Sequence, residues 1–223
     1  MTRILTAIFA VALVAVGAFL FMGREPANTS ALTPFVGAAN AQDAGEIDTS
    51  TVVEMALGAE DAPVTFVEYS SFTCPHCRNF HEDVFKKLKA EYIDTGKVRF
   101  IYRDVYFDRY GLWAAMIARC EPEKFFGIAD LIYKGQSDWA RGETPEEVVG
   151  KLRKIGRLAG IPDDKLDACL SDGQKAQTLV AWYQENAQRD GIQGTPTFII
   201  NGKLVENQPW EDLKAIIEAE LQG

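Results

Sequence analysis

The 223-residue sequence predicts an α/β fold: a β-α-β unit, an inserted helical subdomain, then β-β-α. Three observations carry this. Val64–Tyr69 and Val98–Tyr102 are short runs rich in β-branched and aromatic residues, and the segment between them repeats apolar residues at helical spacing. From Tyr110 to about Asp190 the pattern stays helical, too long for one crossover helix. Thr197–Val205 reads as a hairpin turning at Asn201-Gly202, the dipeptide that supplies positive φ at both central turn positions.

The elements follow in order. Arg3 precedes an apolar run from Ile4 to Met22, near the length of a membrane-spanning helix. Ala39-Asn40-Ala41 then offers small-x-small cleavage chemistry. Residues 1–41 are therefore expected to be a signal peptide, cleaved after Ala41, or else a retained membrane anchor. Either route exports the rest. Residues 23–50 have linker composition, Thr51–Met55 is a possible short strand, and 42–62 is assigned as linker plus that strand. The folded domain is expected over 63–223, with the helical insertion at about 107–190.

Within that domain, strand Val64–Tyr69 is followed by a loop, Ser70 to Thr73, and a helix, Pro75–Tyr92, with Phe80, Val84, Phe85 and Leu88 on one face. Thr95-Gly96-Lys97 ends the helix. Strand Val98–Tyr102 should pair parallel to the first through a right-handed crossover. Helices are expected near Tyr110–Arg119, Glu123–Tyr133, Pro145–Leu158, Asp163–Ser171 and Gln174–Gln188. Strands Thr197–Ile200 and Lys203–Val205 and a helix from Pro209 to Leu221 complete the chain.

Composition narrows the function. The chain is 47% hydrophobic, as a globular protein is, with a formal charge of −9; residues beyond 41 carry −10. An acidic domain with no basic stripe is a poor nucleic-acid binder.

Cys74-Pro75-His76-Cys77 is the chemical signature. It lies at a strand-loop-helix junction, with Cys74 near the helix N-cap and Pro75 at the first helical position. Unpaired N–H groups and the positive end of the macrodipole stabilise a thiolate there. Cys74 should therefore titrate below the ~8.5 of a free thiol, with His76 lowering it further. A disulfide whose reduced form is so stabilised tends to be given away. The chain has four cysteines, an even number that favours disulfides after export. The spacing favours Cys74–Cys77, which leaves Cys120 and Cys169 as a structural pair or as two separate thiols. Closing that loop would stabilise the fold by roughly 4 kcal/mol in the chain-entropy model. His81 lies at i+7 from Cys74 on the same face, so zinc ligation by Cys74, Cys77 and His81 is the rival reading.

The sequence resembles the thioredoxin superfamily, and within it the DsbA family of exported thiol oxidases. The resemblance rests on Glu68, Phe72, the CPHC motif, the helical insertion, and Gly194-Thr195-Pro196-Thr197-Phe198 before the hairpin. It covers roughly Thr51 to Gly223 and implies a thioredoxin-like fold. It further implies a periplasmic enzyme that donates the Cys74–Cys77 disulfide to newly translocated, unfolded polypeptides. The implied reoxidant is a membrane quinone reductase of the DsbB type, and no cofactor beyond the disulfide is needed. Cys74 would be the attacking sulfur and Cys77 the buried partner. Pro196 would be cis, turning the Thr195 backbone toward a bound peptide. Glu68 would move protons to and from Cys77. The family's lysine partner for this acid falls near Arg99, a departure from the family pattern. A disulfide isomerase or reductase is the alternative, and a zinc-binding structural domain a further one. Isomerases of the superfamily usually carry an N-terminal dimerisation domain, and the short segment before this core argues for a monomer.

Overall fold

The structure is a computed structural model, and it describes residues 47–223. The expected leader, Ile4–Met22, and the Ala41 cleavage site lie outside the described residues. Among those described, no helix is long and apolar enough to cross a membrane.

A five-stranded sheet runs in the order β1-β3-β2-β4-β5, with β1 Met55–Leu57, β2 Val64–Ser70, β3 Val98–Asp104, β4 Thr197–Ile200 and β5 Lys203–Glu206. The central pair β2 and β3 is parallel, in the register Glu68 opposite Tyr102. The other pairings, β1 with β3, β4 with β2, and β4 with β5, are antiparallel. The β4–β5 turn is Asn201-Gly202, with φ of 45° and 80°, as the dipeptide predicts. β1 begins at Met55, where the expected strand ends. Leu57 pairs with Phe100, and Thr51–Val53 instead pass beside Arg119. Pairing with β3, a long-range choice, decided which residues of this segment became strand.

The strands alternate, and both faces are covered. Val64, Phe66, Phe100, Tyr102 and Phe198 turn to the main core, while Val67, Tyr69, Ile101 and Ile199 form a second cluster with Tyr183 and Ile192. On the main-core side lies a continuous helical segment of four pieces. They are α1 Pro75–Asn79, a π-helical turn Phe80–Val84, α2 Phe85–Leu88, and a second π-helical turn Lys89–Ile93. The insertion supplies α3 Arg109–Ala118, α4 Phe125–Trp139, α5 Pro145–Leu158, α6 Asp163–Ser171 and α7 Gly173–Arg189, and α8 Trp210–Leu221 closes the chain. α4 runs six residues past the expected Tyr133. Gln136 and Trp139 continue its buried face.

Cys120 and Cys169 are disulfide-bonded across 49 residues, joining the end of α3 to α6. Replacing both with Ala should lower stability by about 2–4 kcal/mol, the usual return on such a loop. Equilibrium urea unfolding checks this, with the wild type under reducing conditions as the parallel sample.

Candidate active site at the CPHC motif

β2 ends at Ser70, and the chain turns through Ser71, Phe72 and Thr73 before the helix begins. Cys74 is the N-cap, in extended conformation, and Pro75 takes the first helical position. Proline fits there because its missing N–H would have no helical partner. Cys74 and Cys77 are both free thiols in this structure. Cys77, one turn in, is fully buried, while Cys74 is 9% exposed and reaches the surface.

The two sulfurs are pushed in opposite directions. The Cys74 thiol is held down to about 5, first by a hydrogen bond from the Cys77 thiol, then by Thr195 and by the backbone N–H groups of Cys77 and His76. Burial opposes this and is outweighed. Cys77 is pushed far up, first by burial, then by its bond to Cys74 and by the nearby Glu68 carboxylate. At neutral pH the reduced pair is thus a thiolate that just reaches the surface and a fully buried thiol, the distribution expected of a nucleophile and its partner. His76 is exposed; its backbone N–H addresses Cys74, and its ring borders a shallow surface pocket with Asn79, Asp83 and Gln208.

The Thr195–Pro196 bond is cis, and the Thr195 carbonyl accepts from the Cys74 thiol at 3.4 Å. The Thr195 hydroxyl is buried with no hydrogen-bond partner among the described residues. A surface pocket of about 540 Å³ opens beside this turn, bordered by Gly194, Thr195, Pro196, Leu204 and Glu206. Leu204 is half exposed there.

Under Cys77 lies a polar cluster inside an aromatic shell. Glu68 is fully buried, and its Oε2 meets His81 Nε2 at 2.9 Å. The His81 ring stacks on Tyr133 at 4.3 Å. Tyr133 Oη shares 2.8 Å hydrogen bonds with the Ser70 and Tyr102 hydroxyls. Burial raises both tyrosines well above their ordinary value, so they keep their protons. The Ser71 N–H donates to Cys77 Sγ at 3.5 Å. The expected place of the cation beside Glu68 needs correction. Arg99 pairs across the sheet with Thr65, not Glu68, and its guanidinium donates to the Glu60 carbonyl. Glu68 sits opposite Tyr102, and its charge partner comes from the helix as His81. His81 therefore points to Glu68, away from the zinc reading. Among the described residues no group of three or more His, Cys, Asp or Glu is arranged to hold a metal.

Sequence reasoning missed Gln136. It is 3% exposed, and its Nε2 donates to the carbonyls of Phe72 at 2.7 Å and Cys74 at 2.9 Å. One amide from the helical insertion thus clamps the loop on both sides of Thr73. The signal was present: Gln136 continues the Ile128, Ala129, Ile132 and Tyr133 stripe, where a polar residue demands a partner. Gln136→Ala should cost about 2 kcal/mol by leaving the buried Phe72 carbonyl unsatisfied, while that of Cys74 keeps the Arg78 N–H. Amide hydrogen exchange should quicken in Ser71–Cys74 first.

A thioredoxin family profile matches residues 50–219. A Rickettsia bellii relative named "Putative protein-disulfide oxidoreductase" is 33% identical over 76% of this chain and 65% of its own length. The chain thus spans somewhat less than two thirds of that relative. Disulfide bond formation protein D of Bacillus subtilis is 31% identical over 75% of this chain and 77% of its own. The crystal structure of Wolbachia pipientis alpha-DsbA1 is similar with a TM-score of 0.70 and 27% identity, covering 76% of this chain and 91% of that one.

Proposed function

The chain belongs to the DsbA-like thiol-disulfide oxidoreductases of the thioredoxin superfamily, and from that premise we propose that it is an exported thiol oxidase. Its substrates are newly translocated, still unfolded polypeptides, to which it donates the Cys74–Cys77 disulfide. The observation that carries this is the opposed shift of the two thiols. A Cys74 held near 5 is a good leaving group and stabilises the reduced protein, so the disulfide is readily passed on.

The steps balance without a cofactor. A substrate thiolate attacks Cys74 Sγ, forming a mixed disulfide and expelling Cys77 as a thiolate, which takes up a proton. A second substrate thiolate attacks the first substrate sulfur in the mixed disulfide, forming the substrate disulfide and releasing the Cys74 thiolate. The substrate loses two electrons to form its disulfide, and the protein gains them. Reoxidation runs the same exchange against an oxidant disulfide, for which a membrane quinone reductase of the DsbB type is the proposed source. Thr195 and Pro196 border the face on which an extended peptide would lie, and the Thr195 backbone offers it strand-like hydrogen bonds. His76 tunes the Cys74 thiolate, and Glu68 serves the proton of Cys77. The domain partition proposed above, with residues 1–41 as leader or anchor, places this chemistry in the periplasm, and the protein works as a monomer.

The test is the reduction potential of the Cys74–Cys77 pair by equilibration with glutathione. A potential well above the about −270 mV of thioredoxin is expected; a thioredoxin-like value makes the protein a reductase instead. Alkylation by iodoacetamide should show Cys74 reactivity rising with pH through about 5 and level by neutrality. The sign for stability follows. A thiol depressed in the folded state adds stability that is fully present above its unfolded value, and that is lost as pH falls through about 5. The reduced protein should therefore gain on the oxidised one in thermal midpoint as pH rises from the acid side.

A further inference from the structure

We infer that His81 is the proton relay of the redox pair, passing protons between Glu68 and a solvent-open cavity behind the CPHC helix. The inference deepens the function proposed above. Each half-cycle requires Cys77 to gain or lose one proton, and Cys77 is fully buried. Glu68 is the buried group able to exchange it, and its Oε1 has no hydrogen-bond partner among the described residues. Glu68 is itself cut off from water at 0% exposure, so it needs a path for refilling.

His81 supplies that path. One ring nitrogen, Nε2, meets Glu68 Oε2 at 2.9 Å, which leaves the other to exchange a proton with the cavity that His81 lines. An imidazole can bind a proton at one nitrogen and release one from the other. His81 sits in the π-helical turn Phe80–Val84, an irregularity often found at functional sites. It also lines a cavity of about 270 Å³ with Phe85, Phe126 and Gly127. The groups around the ring come from every packed element: Glu68 from β2, Tyr102 from β3, Tyr133 from α4, and Phe80 and Phe85 from its own helix. Lys86, Lys89 and Asp130 line the same cavity. The two tyrosines are locked in their protonated form, so the carboxylate and the imidazole remain to move the proton. On reduction, the Cys77 thiolate takes a proton from Glu68, Glu68 takes one from His81 Nε2, and His81 regains one at its second nitrogen from the cavity. Reoxidation reverses each transfer.

Two variants separate a relay from a structural role. His81→Gln keeps a donor toward Glu68 but cannot carry a proton through. Gly127→Leu places a side chain at the rim of the cavity, where Gly127 is exposed and a Cβ meets nothing within 4 Å, so the helix tolerates it. The reduced full-length protein is mixed with glutathione disulfide and quenched at intervals. Mass spectrometry then follows resolution of the Cys74 mixed disulfide by Cys77 across the neutral pH range. Both variants should resolve about tenfold or more slowly and with a changed pH profile, as loss of a general acid–base group does. Gly127→Leu should keep the wild-type reduction potential and thermal midpoint. Wild-type rates and pH profile in Gly127→Leu, or in His81→Gln, overturn the relay. The oxidase reading fails separately, on a thioredoxin-like potential of the wild type.

Discussion

Cys77→Ala should turn a cycling enzyme into a trap. Its Cys74 keeps its place at the helix N-terminus, with the backbone N–H groups of position 77 and His76 still pointing at the sulfur. The thiolate attacks a protein disulfide and forms a mixed disulfide, but the thiol that would resolve it is gone. Turnover in a reduced-ribonuclease refolding assay should be abolished, while covalent adducts with client proteins accumulate on non-reducing gels. Cys74→Ala should lose turnover and form no adducts, because Cys77 is fully buried and its thiol is pushed far up. Equal adduct yields from the two variants would contradict the assignment of nucleophile and partner. One hydrogen bond that lowers Cys74 comes from Cys77 itself, so the Cys74 titration should also move upward in Cys77→Ala.

Arg119→Leu should cost about 3–5 kcal/mol, among the largest single-residue losses of stability. Arg119 is 2% exposed and Asp104 1%, and they pair at 2.7 Å. The guanidinium also donates to the Val53 carbonyl at 2.8 Å and lies 5.4 Å from the ring centroids of both Phe125 and Trp182. It therefore ties the end of β3 to α4, α7 and the N-terminal strap. Removing it leaves a buried carboxylate alone in an aromatic setting, which is worse than having no charge there. The Asp104→Leu/Arg119→Leu double variant should recover a good part of the loss, read by urea unfolding. The pH dependence has a definite sign. Without Arg119 the charged carboxylate is the costly buried form, so the deficit against wild type should grow as pH rises above the ~3.9 of a free Asp. A deficit that shrinks with rising pH would refute the unpaired-charge account.

Much of the architecture was legible because it rests on local rules. The Asn201-Gly202 turn, Pro75 at the helix start and the period-2 run Val64, Phe66, Glu68 each carry their meaning in a few adjacent residues. The CPHC motif belongs with them. Placing Cys74 at a helix N-terminus follows from the residues on either side, and the low thiol value follows from that placement. Gln136 was readable in principle, as a polar residue on an apolar helical face. What it would clamp was not readable, because Phe72 and Cys74 lie more than sixty positions away.

By itself, the sequence determined the β-α-β start, the closing hairpin and helix, and the place of the CPHC motif at a helix N-terminus. It did so through propensity, periodicity and turn chemistry, which act over a few residues. The tertiary structure decided what stands opposite what. Parallel registration of β2 on β3 put Tyr102 beside Glu68 and Arg99 beside Thr65, three strand positions away, which no local pattern encodes. Packing of the CPHC helix then delivered His81 as the partner of the buried acid, enclosed by aromatic rings from three elements. A buried charge takes whatever partner the assembled core brings within hydrogen-bond reach, and that is settled only when the sheet and helices close on each other.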